Sequence, residues 1–312
     1  MKYNWFESAS PFAKFLLTLI LMMGCLFASI IIAAFFAVPF THMNVNSVIE
    51  TLTDIQNPAN LNLVRYFQIV QSIAFFLVPA IFVTYLFGSK PGEYLSLKKQ
   101  PTLLVSLIAV FLVLSIIPFI NYLQELNSKM HFPYYLKEVE NWMKTSENAA
   151  NNLSELFLKV NTIRGLIFNI FMMALLPALS EEFLFRGVFQ RLFSEMFKNY
   201  HWGIVFSAAL FSAIHFQFYG FVPRMLLGVI FGYMLVWSGT LWVPIIAHFM
   251  NNAIGVFFYY LQTKGLVDNS LDTIGTCKNE LQISIISLIL SAAILGLFYY
   301  ISKRKNQNSF TN

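Results

Sequence analysis

Six windows of this chain contain no Asp, Glu, Lys or Arg: 15–38, 66–89, 100–124, 199–223, 225–263 and 281–302. About 20 consecutive apolar residues let an α-helix cross the bilayer hydrocarbon, where every backbone polar group must be satisfied internally. Only 11% of the 312 residues are charged and 57% are hydrophobic, whereas a soluble domain carries about 25% charged residues. These windows therefore predict an all-α, polytopic membrane helix bundle.

Eight transmembrane helices are expected, near 12–38, 66–87, 102–122, 163–192, 200–217, 221–238, 241–262 and 281–302. The window 225–263 must hold two of them, because Ser238-Gly239-Thr240 interrupts it and Pro244 follows near a new helix start. The first apolar run is too long for a signal-peptide core and reads as a retained signal anchor. The segment 123–162 mixes five Glu with four Lys and predicts an amphipathic helix outside the membrane. Lys2, Lys14, Lys90, Lys98, Lys99, Arg191, Lys198, Lys303, Arg304 and Lys305 all fall on the side of the N-terminus. By the positive-inside rule both termini are cytoplasmic, and Trp202, Trp237 and Trp242 sit at the cytoplasmic interface of the cell membrane.

The net charge of +5 is dispersed at the ends of apolar windows. It encodes topology and points to membrane lipid as partner, not to nucleic acid. Cys25 and Cys277 are too few for a disulfide framework. The organisation reads as an N-terminal membrane region (1–159, three spans and a long polar loop), a four-helix core (160–262), and a final span with a basic tail (263–312).

Within the core, the run ALSEEFLFRGVFQ places Glu181, Glu182 and Arg186 behind an apolar stretch. Each charge at that depth costs roughly 2.5 to 3.5 kcal/mol on the insertion scale. Only 16 uncharged residues separate Arg164 from Glu181, about 24 Å of helix against about 30 Å of hydrocarbon, so the helix must continue through the charges. Glu182 and Arg186 are i and i+4 and can pair. Glu181 points about 100° away and is the candidate free carboxylate. If the turn into the next helix is centred near Lys198, Glu181 lies 17 residues before it and His215 17 after it, at similar depth. His248 and Asn252 (i, i+4) enter from the same side as that turn, and Phe211, one turn before His215, can wall the pocket on which all four converge.

EExxxR, then FxxxH, then HxxxN on successive hydrophobic helices resembles the CAAX protease and bacteriocin-processing family, the type II CAAX prenyl endopeptidase-like (Abi) intramembrane proteases. The resemblance covers roughly residues 160–260. It implies an endopeptidase that hydrolyses a peptide bond without a covalent intermediate. Glu181 would be general base on a water, with His215 holding or shuttling its proton and His248 and Asn252 donating to the oxyanion. Glu182 and Arg186 would be structural. That Glu181 and not Glu182 is the base comes from the resemblance, not from spacing. The chemistry suits the residues, since a carboxylate in a low-dielectric site is a stronger base and preorganised donors stabilise an oxyanion.

The substrate implied is a hydrophobic or lipid-modified peptide presented near the cytoplasmic leaflet. Zinc held by Glu181, His215 and His248 would also match a His₂Glu ligand set. However, HExxH is absent from the sequence and Asn252 suits an oxyanion donor better, so no cofactor is favoured. Two other readings compete: a non-catalytic scaffold or bacteriocin self-immunity factor, and a proton-coupled transporter with Glu181 and His215 as relay. The lack of paired repeats weighs against the transporter. Gly228 and Gly232 form a GxxxG suited to close packing, and Arg224 reads as an interfacial anchor.

Overall fold

A computed structural model describes residues 6–51, 57–130, 132–267, 271–276 and 280–308. Within them the chain forms eleven helices and no strand. They are α1 (Pro11–Thr41), α2 (Val45–Thr51), α3 (Leu61–Leu86), α4 (Pro91–Tyr94), α5 (Leu103–Ser128), α6 (Lys137–Leu158), α7 (Ile163–Phe197), α8 (Tyr200–Ala213), α9 (Phe221–Ser238), α10 (Trp242–Thr263) and α11 (Leu281–Asn308). Cys277 lies outside the described residues.

Every expected span contains a helix, that at 200–217 only as far as Ala213, and α6 is the expected amphipathic one. Six helices (α1, α3, α5, α7, α9 and the Leu281–Lys303 part of α11) are long and apolar enough to cross a membrane. The other two of the expected eight fall short for different reasons. α8 has 14 residues, about 21 Å, and the apolar run of α10 is broken by His248, Asn251 and Asn252 although the helix is continuous. The chain is thus a helical, multi-pass membrane bundle. Large apolar side chains such as Ile20, Phe27, Ile31 and Phe35 on α1 point outward, as a lipid-facing surface requires.

The turns follow local chemistry. Lys198 closes α7 in the left-handed conformation, and Asn199 caps α8 by accepting from the His201 N–H at 2.8 Å. Gly239, at φ +69°, ends α9 where the sequence break was expected. The GxxxG works within the molecule: a Cβ on Gly228 would stand 2.9 Å from Ala208 Cβ, and one on Gly232 2.8 Å from Ile204 Cγ2, both on α8. The close approach also exposes two carbonyls to α7, so that Arg186 donates to Gly228 O at 3.3 Å and Gln190 to Gly232 O at 3.2 Å.

The bundle has two distinct ends. At one, the 95–99 loop is stitched to the α9–α10 turn: Lys99 donates to Ser238 O at 2.8 Å, Thr240 to Lys99 O at 2.6 Å and Trp242 Nε1 to Leu97 O at 2.9 Å. Lys14 lies over the Phe87 ring there. At the other end, Asn127 donates to Phe218 O and Tyr219 O, and Asn121 to Leu271 O and Ile274 O. α6 covers this second end through Glu147, which accepts from the Tyr219 N–H.

Candidate active site

α7 carries the charged run. It is continuous from Ile163 to Phe197 but includes two π-helical stretches, Ile170–Leu175 and Phe185–Phe189, on either side of the glutamates. Such stretches recur at functional sites, and here Arg186 stands in the second. Glu182 is fully buried and holds Arg186 Nη1 at 2.7 Å, as the i, i+4 spacing predicts. Arg186 is further packed over the rings of Phe211 (4.5 Å) and Phe231 (5.5 Å).

The same oxygen, Glu182 Oε1, accepts from His248 Nδ1–H at 2.8 Å. Sequence reasoning gave Glu182 only to Arg186; its second role on α10 was missed, because spacing within one helix says nothing of a partner 66 residues away. With Nδ1–H committed to Glu182, His248 Nε2 is directed at the other glutamate, 3.8 Å from Glu181 Oε2. The imidazole is stacked on Phe231 and meets Phe211 edge-on, so its plane is fixed as well as its tautomer.

Glu181, Phe211, His215, His248 and Asn252 all line one cavity of about 400 Å³, as the matched depths predicted. His215 arrives differently from the expectation. α8 stops at Ala213 instead of running to 217, and His215 stands in the following turn, before Phe216 in the left-handed conformation (φ 52°). It remains oriented because Nδ1–H donates to Phe211 O at 2.8 Å, leaving Nε2 as the nitrogen able to accept a proton. Asn251 donates to Asn252 Oδ1 at 3.1 Å. That occupies the acceptor of Asn252 and leaves its amide N–H groups as donors.

The cavity is also lined by Asn121 and Gln124 near the C-terminus of α5, by Gly220 and Arg224 at the start of α9, and by Leu271. These residues belong to the end of the bundle covered by α6, opposite the 95–99 loop. Arg224, expected as an interfacial anchor, also lines the cavity. Among the described residues no group of three or more His, Cys, Asp or Glu side chains is placed to hold one metal ion. His248 Nδ1 is taken by Glu182 and His215 Nδ1 by a carbonyl, which leaves Nε2 as the uncommitted nitrogen of each ring.

Residues 163–254 match the family model described as type II CAAX prenyl endopeptidase Rce1-like, in agreement with the resemblance carried by the three motifs. The matched segment holds Glu181, Glu182, Arg186, Phe211, His215, His248 and Asn252. A Bacillus subtilis (strain 168) protein described as "Uncharacterized protein YpbD" is 33% identical over 90 residues, 28% of this chain and 43% of that protein. The matched region thus spans less than half of that relative. No solved structure matches the chain.

Proposed function

We propose that this protein is an intramembrane endopeptidase that hydrolyses a peptide bond of a hydrophobic or membrane-associated peptide, with Glu181 activating the water. The observation that carries the reading is the bridging imidazole of His248. One nitrogen is locked to a buried carboxylate, and the other faces a second carboxylate that lines an open cavity. Two adjacent glutamates held in unlike surroundings are what acid–base chemistry requires, one fixed as counter-ion and one free to exchange a proton.

In this mechanism a water in the cavity gives its proton to Glu181 as it attacks the scissile carbonyl. His215 Nε2 is the neutral acceptor beside the path and can hold the water or relay its proton. Negative charge grows on the carbonyl oxygen. Asn252 donates to it through its amide, and His248 donates from Nε2 when it is the imidazolium. Glu182 stabilises that imidazolium from behind, as a buried Asp does in a Ser-His-Asp triad. The proton taken by Glu181 then goes to the leaving amine. No step is routed through a metal.

The orientation belongs to the same proposal. The Lys and Arg distribution supports cytoplasmic termini, and the lining residues Asn121, Gln124, Gly220 and Arg224 lie towards the opposite end. On this reading substrate enters from the non-cytoplasmic side, whereas the family resemblance alone suggests the cytoplasmic leaflet. Cysteines placed singly in α6 and in the 88–101 loop should be labelled by impermeant maleimide from opposite faces of the cell, with α6 reached from outside.

The activity test is cleavage of a peptide library by the purified protein. Glu181→Gln and His248→Ala should each lower kcat/KM by on the order of 10²-fold or more, while 1,10-phenanthroline leaves the wild type active. Cleavage that survives both substitutions would sink the mechanism, and cleavage lost on chelation and restored by added zinc would sink its metal-free form.

A further inference from the structure

Arg224 is the charged residue of the cavity that the mechanism above does not use. It sits on the first turn of α9 and lines the same 400 Å³ space as Glu181 and His248. Among the described residues it forms no ion pair. Its Nη2 donates to Gln217 Oε1 at 2.7 Å, and Nη1 makes a longer contact of 3.5 Å to the Gln217 carbonyl. The contrast with Arg186 is direct, because that guanidinium is neutralised by Glu182 at 2.7 Å. Neither carboxylate whose charge reaches Arg224, Glu147 or Glu181, is within ion-pair distance of it, and Glu147 is engaged with the Tyr219 N–H.

The guanidinium is nevertheless held in place. Gln217 spends its other end on α6, donating to Asn151 Oδ1 at 3.3 Å, so its carbonyl oxygen is fixed towards Arg224. A cation kept largely out of water with only neutral hydrogen-bond partners is costly. The cost is recovered when an anion arrives, and a planar fork of donors matches a carboxylate best.

We propose that Arg224 is a specificity-determining residue that binds a carboxylate of the peptide substrate, positioning the segment between the scissile bond and the 214–220 loop. This rests on the endopeptidase reading for its substrate class. The carboxylate has two sources, a free C-terminus just beyond the scissile bond or an Asp or Glu side chain at that position.

The test uses three fluorescein-labelled hydrophobic peptides of otherwise equal sequence: one with a free C-terminal carboxylate, one with a C-terminal carboxamide, and one amidated but carrying Glu near the C-terminus. Binding to full-length Glu181→Gln protein in nanodiscs is read by anisotropy, so that it does not depend on hydrolysis. Arg224→Gln and Arg224→Lys are compared in that background after size-exclusion and thermal-melt controls.

A charge-assisted contact predicts roughly 10- to 100-fold tighter binding of the favoured carboxylate peptide than of the plain carboxamide. That ratio should collapse towards one in Arg224→Gln and return in part in Arg224→Lys. Preference for the free-acid peptide identifies the C-terminus, and preference for the Glu peptide identifies the side chain. Equal binding of all three peptides, no binding of any, or a preference that survives Arg224→Gln would overturn the proposal. If the preference holds while wild-type protein cleaves none of the peptides, the endopeptidase reading fails and the carboxylate site stands.

Discussion

Glu182→Gln is the sharpest test of how the charges of α7 are used. The substitution keeps shape and volume but removes the negative charge that serves Arg186 at 2.7 Å and His248 at 2.8 Å. Glu182 is 0% exposed and Arg186 2%, so solvent cannot take over. Breaking a buried pair from one side leaves an uncompensated charge and costs about 3–5 kcal/mol, which corresponds to a fall in Tm of roughly 6–20 °C. Activity should fall independently, because the amide no longer fixes His248 with Nδ1 as donor or supports an imidazolium. The equivalent carboxylate-to-amide change in a serine protease triad costs about 10⁴-fold, and a loss on the order of 10²- to 10⁴-fold is expected here.

The two effects separate in the double variant Glu182→Gln/Arg186→Met. Removing both charges relieves the burial penalty, since an apolar replacement of a buried pair is often neutral or stabilising. Thermal stability should return to within a few degrees of wild type while kcat/KM stays low. Nitrogen chemical shifts of labelled His248 give a readout that a purely structural role would not move: Nδ1 protonated in wild type, mixed in both variants. Recovery of activity together with stability would show that Glu182 merely neutralises Arg186, and the bridging role would be refuted.

Gly228→Ala should destabilise the bundle by about 1–3 kcal/mol, because the new methyl meets Ala208 Cβ at 2.9 Å, its Cα at 3.2 Å and Arg186 Nη2 at 3.2 Å. Gly24→Ala on α1 meets nothing within 4 Å, so its melting temperature should be unchanged or slightly higher. Glu147 on α6 carries a pH signature: burial pushes its carboxyl above the ordinary carboxylate range, against the opposing Tyr219 N–H and the charge of Arg224. The folded state therefore holds that proton to higher pH than the unfolded chain. Its contribution to stability is lost as pH rises from the ordinary carboxylate range through the raised value. Melts of wild type and Glu147→Gln across that window should diverge as pH rises, wild type falling relative to the variant. Parallel curves would show that Glu147 titrates alike in both states.

Much of the fold was legible because membrane helices announce themselves by length and by missing charge. Every window predicted to span contains a helix, the 200–217 one only as far as Ala213, and the Lys198 and Gly239 turns fall where polar or breaking residues interrupt the apolar runs. Residues that share a helix were equally legible, since i, i+4 geometry alone pairs Glu182 with Arg186. What failed depended on contacts between helices or on local departures from α geometry. The π-helical stretches of α7 leave no mark in hydropathy. α8 ends early because a left-handed Phe216 stops it, although the apolar pattern continues. The place of Arg224 on the cavity was not legible, because an isolated cation bounding an apolar window usually marks the membrane surface.

The adjacency of Glu181 and Glu182 has a physical account that neither residue provides alone. Consecutive helical side chains diverge by about 100°, so one carboxylate can point into the dry interior while the next borders the cavity. The two nitrogens of an imidazole also diverge, and His248 turns Nδ1 to Glu182 and Nε2 to Glu181. A single spacing on α7 is thus read by a single ring on α10. Separating the glutamates by one more residue would carry the second another 100° around the helix, beyond the span of one ring. Substitution of His248 by Gln, which presents donor and acceptor from one end only, can satisfy one carboxylate but not both. Full activity in His248→Gln would show that the bridge between the two glutamates is incidental.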